Sequence, residues 1–153
     1  TRRELRTMDG HSNDAFEYWS DEVANHPFWS ELFRRGVPMH PELKGLHPTG
    51  NMRKIGPNIG NSIQVDVAWT PKKVSCRPLS RKPENLRPLL MDRATFEAEV
   101  GAPQKWSEGS SEHIGVTVLP SSAADQKNWS TERQVTETLE LYGRIKKFVR
   151  ARI

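Results

Sequence analysis

Ile63, Val65, Val67 and Trp69 alternate with Gln64, Asp66 and Ala68. This period of two predicts a half-buried strand over 62–69, apolar on one face and polar on the other. Thr70-Pro71-Lys72-Lys73 then turns the chain. Val74 and Cys76 predict a second strand, with Leu79 beyond it and Pro78 and Pro83 limiting its length. Lys105-Trp106 reads as a short extended piece, and Ile114, Val116 and Val118 as a further strand closed by Pro120.

Elsewhere the period lengthens to that of a helix. Phe16, Trp19 and Val23 share a face, with Asn13 or Asp14 as N-cap. Asn25-His26-Pro27 breaks this helix, because a residue before proline avoids the helical region. Pro27 then opens a second piece, Phe28 to Arg35, whose Phe28, Trp29, Leu32 and Phe33 point one way and which Gly36 ends. Aromatics at this spacing are expected to wall the core. Leu86, Leu89, Leu90, Phe96 and Val100 predict one long helix from an Asn85 cap to Gly101. Pro88 then sits at the third helical position, whose N–H has no acceptor within the helix. Val135, Leu139, Tyr142, Ile145 and Val149 form the seam of a last helix over about 130–152, with Thr131 and Gln134 spaced as a capping box. A polar loop over 121–128 precedes it.

Residues 37–61 hold Pro38, Pro41, Gly45, Pro48, Gly50, Gly56, Pro57 and Gly60 and show no period. They predict one long loop, and Lys44, Arg53 and Lys54 against Glu42 make it the expected mobile contact segment. Thr1–Asn13 is polar, basic and aperiodic, so a frayed lead-in or linker is expected. A start at Thr1 without Met points to a piece of a longer protein. The expectation is therefore a lead-in over 1–13 and a single α+β domain over 14–153. Its small antiparallel or mixed sheet is packed by N-terminal, central and C-terminal helices on one face.

Composition narrows the class. With 153 residues the chain is long enough to bury roughly 70% of its extended surface without disulfides or metal. Hydrophobic residues are only 35% and mean hydropathy is −0.74, so the core is expected to be modest. Cys76, alone, excludes an internal disulfide and a zinc site of several thiolates, and fits a reducing cytoplasm. No apolar run approaches the ~18 residues of a membrane span, and no secretory signal opens the chain. No membrane partner is expected.

Candidate chemistry is sparse. His11, His26, His40, His47 and His113 lack metal-ligand spacing. Gly56-Pro57-Asn58-Ile59-Gly60-Asn61-Ser62 lacks the Lys-Ser/Thr ending of a phosphate loop and precedes a strand, not a helix. Cys76 lies among Lys73, Arg77 and Arg81, which favour mild thiol reactivity, but no base can be assigned to it. The element order invites a test against Mg-dependent restriction nucleases, which need one strand-end acid and an acid-x-Lys triplet on the next strand. Asp66 could be the first acid, but Ser75-Cys76-Arg77 offers no triplet, and Glu42-Leu43-Lys44 lies in the loop. No catalytic set, metal set or cofactor site is assigned.

Charge is the remaining signal. From Lys72 to Arg93 seven basic residues face two acids, and Arg144 to Arg152 holds five basic residues and no acid, in a chain of net charge +4. Such clustering predicts positive potential on one flank, suited to a phosphate backbone.

The segments Phe28-Trp29-Ser30-Glu31-Leu32, Ser62 to Trp69, Phe96 to Trp106 with its Gly-x-Pro-x-x-Trp turn, Trp129, and Phe148 to Ile153 are similar as a set to an uncharacterised bacterial accessory domain. That domain is found C-terminal to restriction-type nuclease modules in defence proteins. The resemblance spans roughly Phe28 to Ile153 and departs from the pattern in the Pro41–Gly60 insertion, at Pro88, and in a shorter second strand. It implies a bacterial setting with a fused or associated effector module acting on DNA, and it carries over no catalytic residue.

Three functions are thus expected in order. The first is a non-catalytic domain touching the DNA phosphate backbone, or docking an effector, through Lys72, Lys73, Arg77, Arg81, Lys82, Arg144, Lys147 and Arg150. The second is a protein-interaction module using Phe28, Trp29 and Phe33 or the proline-rich loop. The third is a Mg-dependent DNA endonuclease with a degenerate site at Asp66.

Overall fold

A computed structural model describes residues 20–108 and 114–153. The expected Phe16–Trp19 helical turn, the 1–13 lead-in, His11 and His113 lie outside them. The fold is α+β, with a six-stranded antiparallel sheet. Strands β1 (Lys54–Ile55), β2 (Asn58–Gly60), β3 (Ile63–Trp69), β4 (Val74–Ser80), β5 (Gln104–Glu108) and β6 (Ile114–Val118) are ordered β1-β3-β4-β6-β5, and β2 also pairs with β3. The helices are α1 (Asp21–Ala24), α2 (Pro27–Gly36), α3 (Pro83–Met91), α4 (Arg93–Val100), α5 (Ala123–Gln126) and α6 (Thr131–Arg150).

The β3–β4 hairpin is the frame. Its four-residue turn pairs Trp69 with Val74, and the register then runs without a slip to Ile63 and Ser80. Ile63, Val65 and Val67 face the helices together with Val74, Cys76, Val116 and Val118, and all are buried. α6 lies across this face between α2 and α4. Its predicted seam (Val135, Leu139, Tyr142, Ile145, Val149) is buried, and so are Leu141 and Phe148, because neighbours surround it on several sides. Phe28, Trp29, Phe33 and Phe96 complete one continuous core. No helix among the described residues is long and apolar enough to cross a membrane.

Residues 37–61 correct the expectation of one long mobile loop. Pro41–Leu43 forms a 3-10 turn with Leu43 buried, and β1 and β2 together make an interrupted edge strand along β3. Trp69 N–H donates to Arg53 O at 2.8 Å and Val65 N–H to Pro57 O at 3.1 Å. Asn61 and Ser62 lie at positive φ, as a two-residue hairpin turn requires. The predicted helix over 85–101 is two helices. Asp92 leaves the helical region at ψ 64° and its carboxylate accepts from Thr95 N–H, so it ends α3 and caps α4. Asn85 is not the cap: Pro83 opens α3, the Asn85 side chain donates to Asn61 O, and Pro88 falls mid-helix. Gly101 does end α4, at φ 62°. Ser130, not Thr131, caps α6, and Ser20 caps α1 at Asp21.

Pro78 does not shorten β4, which runs through it to Ser80. Val65 gives its N–H to the β2 side, so Val65 and Pro78 form a pair without mutual hydrogen bonds, and the missing proline N–H points away from β3. On that far side β4 meets β6 only at Cys76 and Val118. A side chain takes over where the pairing stops. The fully buried Gln126, in the stretch expected to be a polar loop, accepts from Val74 N–H at 2.8 Å and donates to Val74 O at 3.3 Å. Gln126→Leu leaves both backbone groups buried without partners. It should cost about 1–3 kcal/mol in urea unfolding, and Val74 amide exchange should accelerate.

Candidate functional site

Strand alternation that sends Val65 and Val67 to the core sends Gln64, Asp66 and Ala68 to the opposite face. Register adds their neighbours: Arg77 lies opposite Asp66, Ser75 and Lys54 flank Ala68, and Lys105 lies opposite Thr117. Since α1, α2, α3, α4 and α6 all feed the one core behind the sheet, this second face is, among the described residues, its open side. A hollow of about 190 Å³ is lined there by Lys54, Asp66, Ala68, Ser75, Arg77 and Thr117.

Asp66 is 3% exposed despite this position. Gln64 Nε2 donates to its Oδ1 at 2.6 Å. Its Oδ2 has no hydrogen bond; Arg77 Nη2 stands 3.6 Å away and Lys54 Nζ 3.9 Å. Gly56 permits the arrangement. A Cβ there would fall 2.7 Å from Asp66 Oδ1 and 2.6 Å from Gln64 Nε2, closer than any contact allows.

The eight basic residues expected to act together are not brought together. Arg77 lies on the open face beside Asp66. Lys72 and Lys73 occupy the β3–β4 turn at one end of the hairpin, and Arg81 and Lys82 follow Ser80 at the other. At ~3.3 Å per residue the two ends are roughly 25 Å apart. Arg144, Lys147 and Arg150 are on α6, behind the sheet. Arg144 pairs with Glu140 and donates to Val100 O, Arg150 Nε donates to Ile59 O, and Lys147 is exposed. The single positive flank is thus corrected. A charge run crossing a turn, a strand and a helix is spread over both strand faces and both strand ends. Lys54 and Lys105, by contrast, join Arg77 through register, which a count of charges along the chain does not reveal.

Other expected chemistry is also relocated. Phe28, Trp29 and Phe33 are buried, so they offer no docking face. The Cys76 thiol points into the core, and burial, with the Asp66 charge adding to it, pushes its pKa up to about 12, so its reactivity is suppressed. Gly56–Ser62 carries strand and hairpin-turn residues, with Ile59 buried, and builds no phosphate cradle. β4 places a cation, not an acid, opposite Asp66, and among the described residues no three His, Cys, Asp or Glu side chains converge as a metal set.

Glu42, read in sequence as part of a loop triplet, belongs to a second polar cluster. Lys146 Nζ donates to its Oε2 at 2.8 Å and Oε1 at 3.1 Å, and Tyr142 OH donates to Oε2 at 2.6 Å. Lys146 Nζ also donates to His40 Nδ1 at 3.0 Å, which leaves the ring proton on Nε2. Burial opposes the Glu42 charge, but the Lys146 and Tyr142 bonds outweigh it and hold its pKa below the usual range. Burial, aided by the Lys146 charge, lowers that of His40, and burial with Glu42 raises that of Tyr142. Every member is engaged by another, so the cluster ties the 41–43 turn to α6 and presents no free nucleophile or base.

The chain matches no protein-family model, no curated protein and no solved structure.

Proposed function

We propose that the chain is a binding module that takes a nucleic-acid phosphate backbone across the open face of its sheet. The supporting observation is the row of cations crossing that face. Lys105 on β5, Arg77 on β4 and Lys54 on β1 stand on one side of the sheet, with Lys72 and Lys73 at its turn end, and Asp66, a carboxylate of the same face, is sunk beneath them. Strands are ~4.8 Å apart, so the row steps along a path perpendicular to the strands. Among the described residues no carboxylate pairs with Lys72, Lys73 or Lys105. Between the cations the surface is small and polar (Ala68, Ser75, Gly115, Thr117), shallow enough for a backbone to lie close. Lys54, Gln64, Ser75, Arg77, Lys105 and Thr117 thus carry the reading, in place of Arg81, Lys82 and the α6 cations. A fused or associated effector and a bacterial defence setting belong to the same proposal and rest on the resemblance alone, and a cytoplasmic location rests on the single cysteine.

The test is titration with labelled single- and double-stranded oligonucleotides at two salt concentrations. Each phosphate contact should add about −0.9 to the slope of log K on log salt for duplex DNA, and about −0.7 for single strands. The double variant Lys54→Glu, Arg77→Glu should weaken binding at least tenfold for every sequence and flatten the slope. Arg144→Glu with Lys147→Glu should leave both nearly unchanged. Salt-independent binding, or loss confined to the α6 variant, would remove the open face from the function.

A further inference from the structure

We infer that the hollow at Asp66 is a ribose-phosphate subsite, so that the open face selects RNA over DNA by the 2′-hydroxyl. This rests on the proposal that the face binds a nucleic-acid backbone, and it names which one.

Asp66 is buried among groups that satisfy only half of it. Oδ1 is taken by Gln64 at 2.6 Å, while Oδ2 has no donor within hydrogen-bond distance. Leaving a buried acceptor unfilled is unfavourable, more so for a charged one. The two cations nearest Oδ2, at 3.6 and 3.9 Å, do not fill it. Their side chains are 46% and 49% exposed, free to swing outward, whereas that of Asp66 is 4% exposed and fixed. Lys54 and Arg77 have only donors and a carboxylate has only acceptors. A ligand that satisfies all three therefore brings an anionic acceptor and, next to it, a hydroxyl donor. A phosphate draws Lys54 and Arg77 off the carboxylate, and the adjacent hydroxyl donates to the buried Oδ2 that their departure uncovers. RNA carries that pair at each nucleotide as phosphate and 2′-OH; DNA has the phosphate without the donor. Size agrees: about 190 Å³ is below the roughly 300–1,000 Å³ of a pocket for a drug-sized ligand and suits one sugar with its phosphate. The described residues of this face include no aromatic ring, so base stacking is not its means of recognition.

The experiment compares wild-type affinity for a short oligouridylate, the same oligomer in deoxyribose, and its 2′-O-methyl form, which keeps the oxygen and loses the donor. The ribose form should bind about tenfold more tightly than either, at the low end of what a hydrogen bond to a charged group contributes. Asp66→Ala should bring the three within about twofold. Lys54→Gln should weaken all three in parallel. If Asp66→Ala fails to fold, the wild-type comparison with the 2′-O-methyl oligomer decides alone. Equal, salt-dependent binding of all three by wild type overturns the subsite and leaves the backbone reading standing. No salt-dependent binding of any oligomer overturns both. A ribose preference that survives in Asp66→Ala assigns discrimination elsewhere and overturns the subsite.

Discussion

Lys146→Met should destabilise the protein by about 3–5 kcal/mol at neutral pH, because it leaves the Glu42 carboxylate buried without its cation. Lys146 is 8% exposed and makes two short bonds to Glu42. Tyr142 alone cannot balance a full charge. The double variant Lys146→Met, Glu42→Gln should recover most of the loss, since a neutral amide can still accept from Tyr142. Chemical denaturation of the four proteins, closed as a double-mutant cycle, checks this. Additive losses would mean that the pair is not coupled.

The same cluster sets the pH range of stability. The folded-state pKa of His40 lies below its ordinary 6.5, so the unfolded chain takes that proton first and stability declines as pH falls through 6.5. His26, also lowered by burial, adds in the same direction. The lowered Glu42 contributes stability that is present above the ordinary carboxylate range and lost as pH falls through it. Tyr142 is raised above its ordinary 10.0, so stability declines again as pH rises past that value. The maximum should fall between about 6.5 and 10. In Lys146→Met the acid limb should change character. His40 Nδ1 is 3.9 Å from Glu42 Oε2, and without the Lys146 charge beside it, protonated His40 can serve as the counter-ion. Arg150, the other cation acting on His40, limits that gain. The variant's deficit should therefore shrink below pH 6.5.

Alternation and helical period reveal the frame of this fold because β3, α2 and α6 are long enough to repeat themselves. Each of their predicted inward residues is buried except Trp69, at the end of β3, which is half-buried. The edge strand is different. β1 and β2 have two and three residues, too few to show a period, and they are strands only because β3 offers its free edge to 53–60. Leu43, Ile55 and Ile59 are isolated apolar residues in a proline- and glycine-rich stretch, and their burial is decided by partners far away in sequence. Asp92 is invisible for a related reason. Nothing in 85–101 interrupts the apolar spacing, and α3 ends where the Asp92 backbone leaves the helical region and its carboxylate accepts from Thr95 N–H. The site was half legible. Asp66 stands out as an acid on the polar side of an alternating strand, and a four-residue turn is enough to place Arg77 opposite it. Lys54 needs the edge strand, and Lys105 and Thr117 need the β5–β6 hairpin docked on β4, so charge counting along the chain passed over them and favoured neighbours that the fold disperses.

Trp29→Ala should also cost about 3–5 kcal/mol, and its consequences should reach the open face. The Trp29 ring is fully buried, edge-on to Phe28 and stacked on Phe33, so truncation opens a large hole where α2 meets the sheet. The indole has a second role. Its Nε1–H donates to Met52 O at 2.5 Å, and Met52 and Asn51 hold positive φ, a conformation that costs of order 1–3 kcal/mol each for such residues and must be held by its surroundings. Two residues later comes Lys54, whose register against Ala68 places its ammonium at Asp66. Trp29→Phe separates the two roles, because it keeps most of the apolar volume and removes the donor. Denaturation should show a loss of about 1–3 kcal/mol for Trp29→Phe, clearly smaller than for Trp29→Ala. Hydrogen exchange should show Trp69 N–H, which donates to Arg53 O, losing protection in Trp29→Phe while Val65 N–H, bonded to Pro57 O, keeps it. Nucleic-acid affinity of the folded Phe variant should fall in step with Lys54→Gln, since both displace the same cation. Unchanged protection at Trp69 would mean that β3 itself, and not the tryptophan behind it, holds Lys54 over the carboxylate.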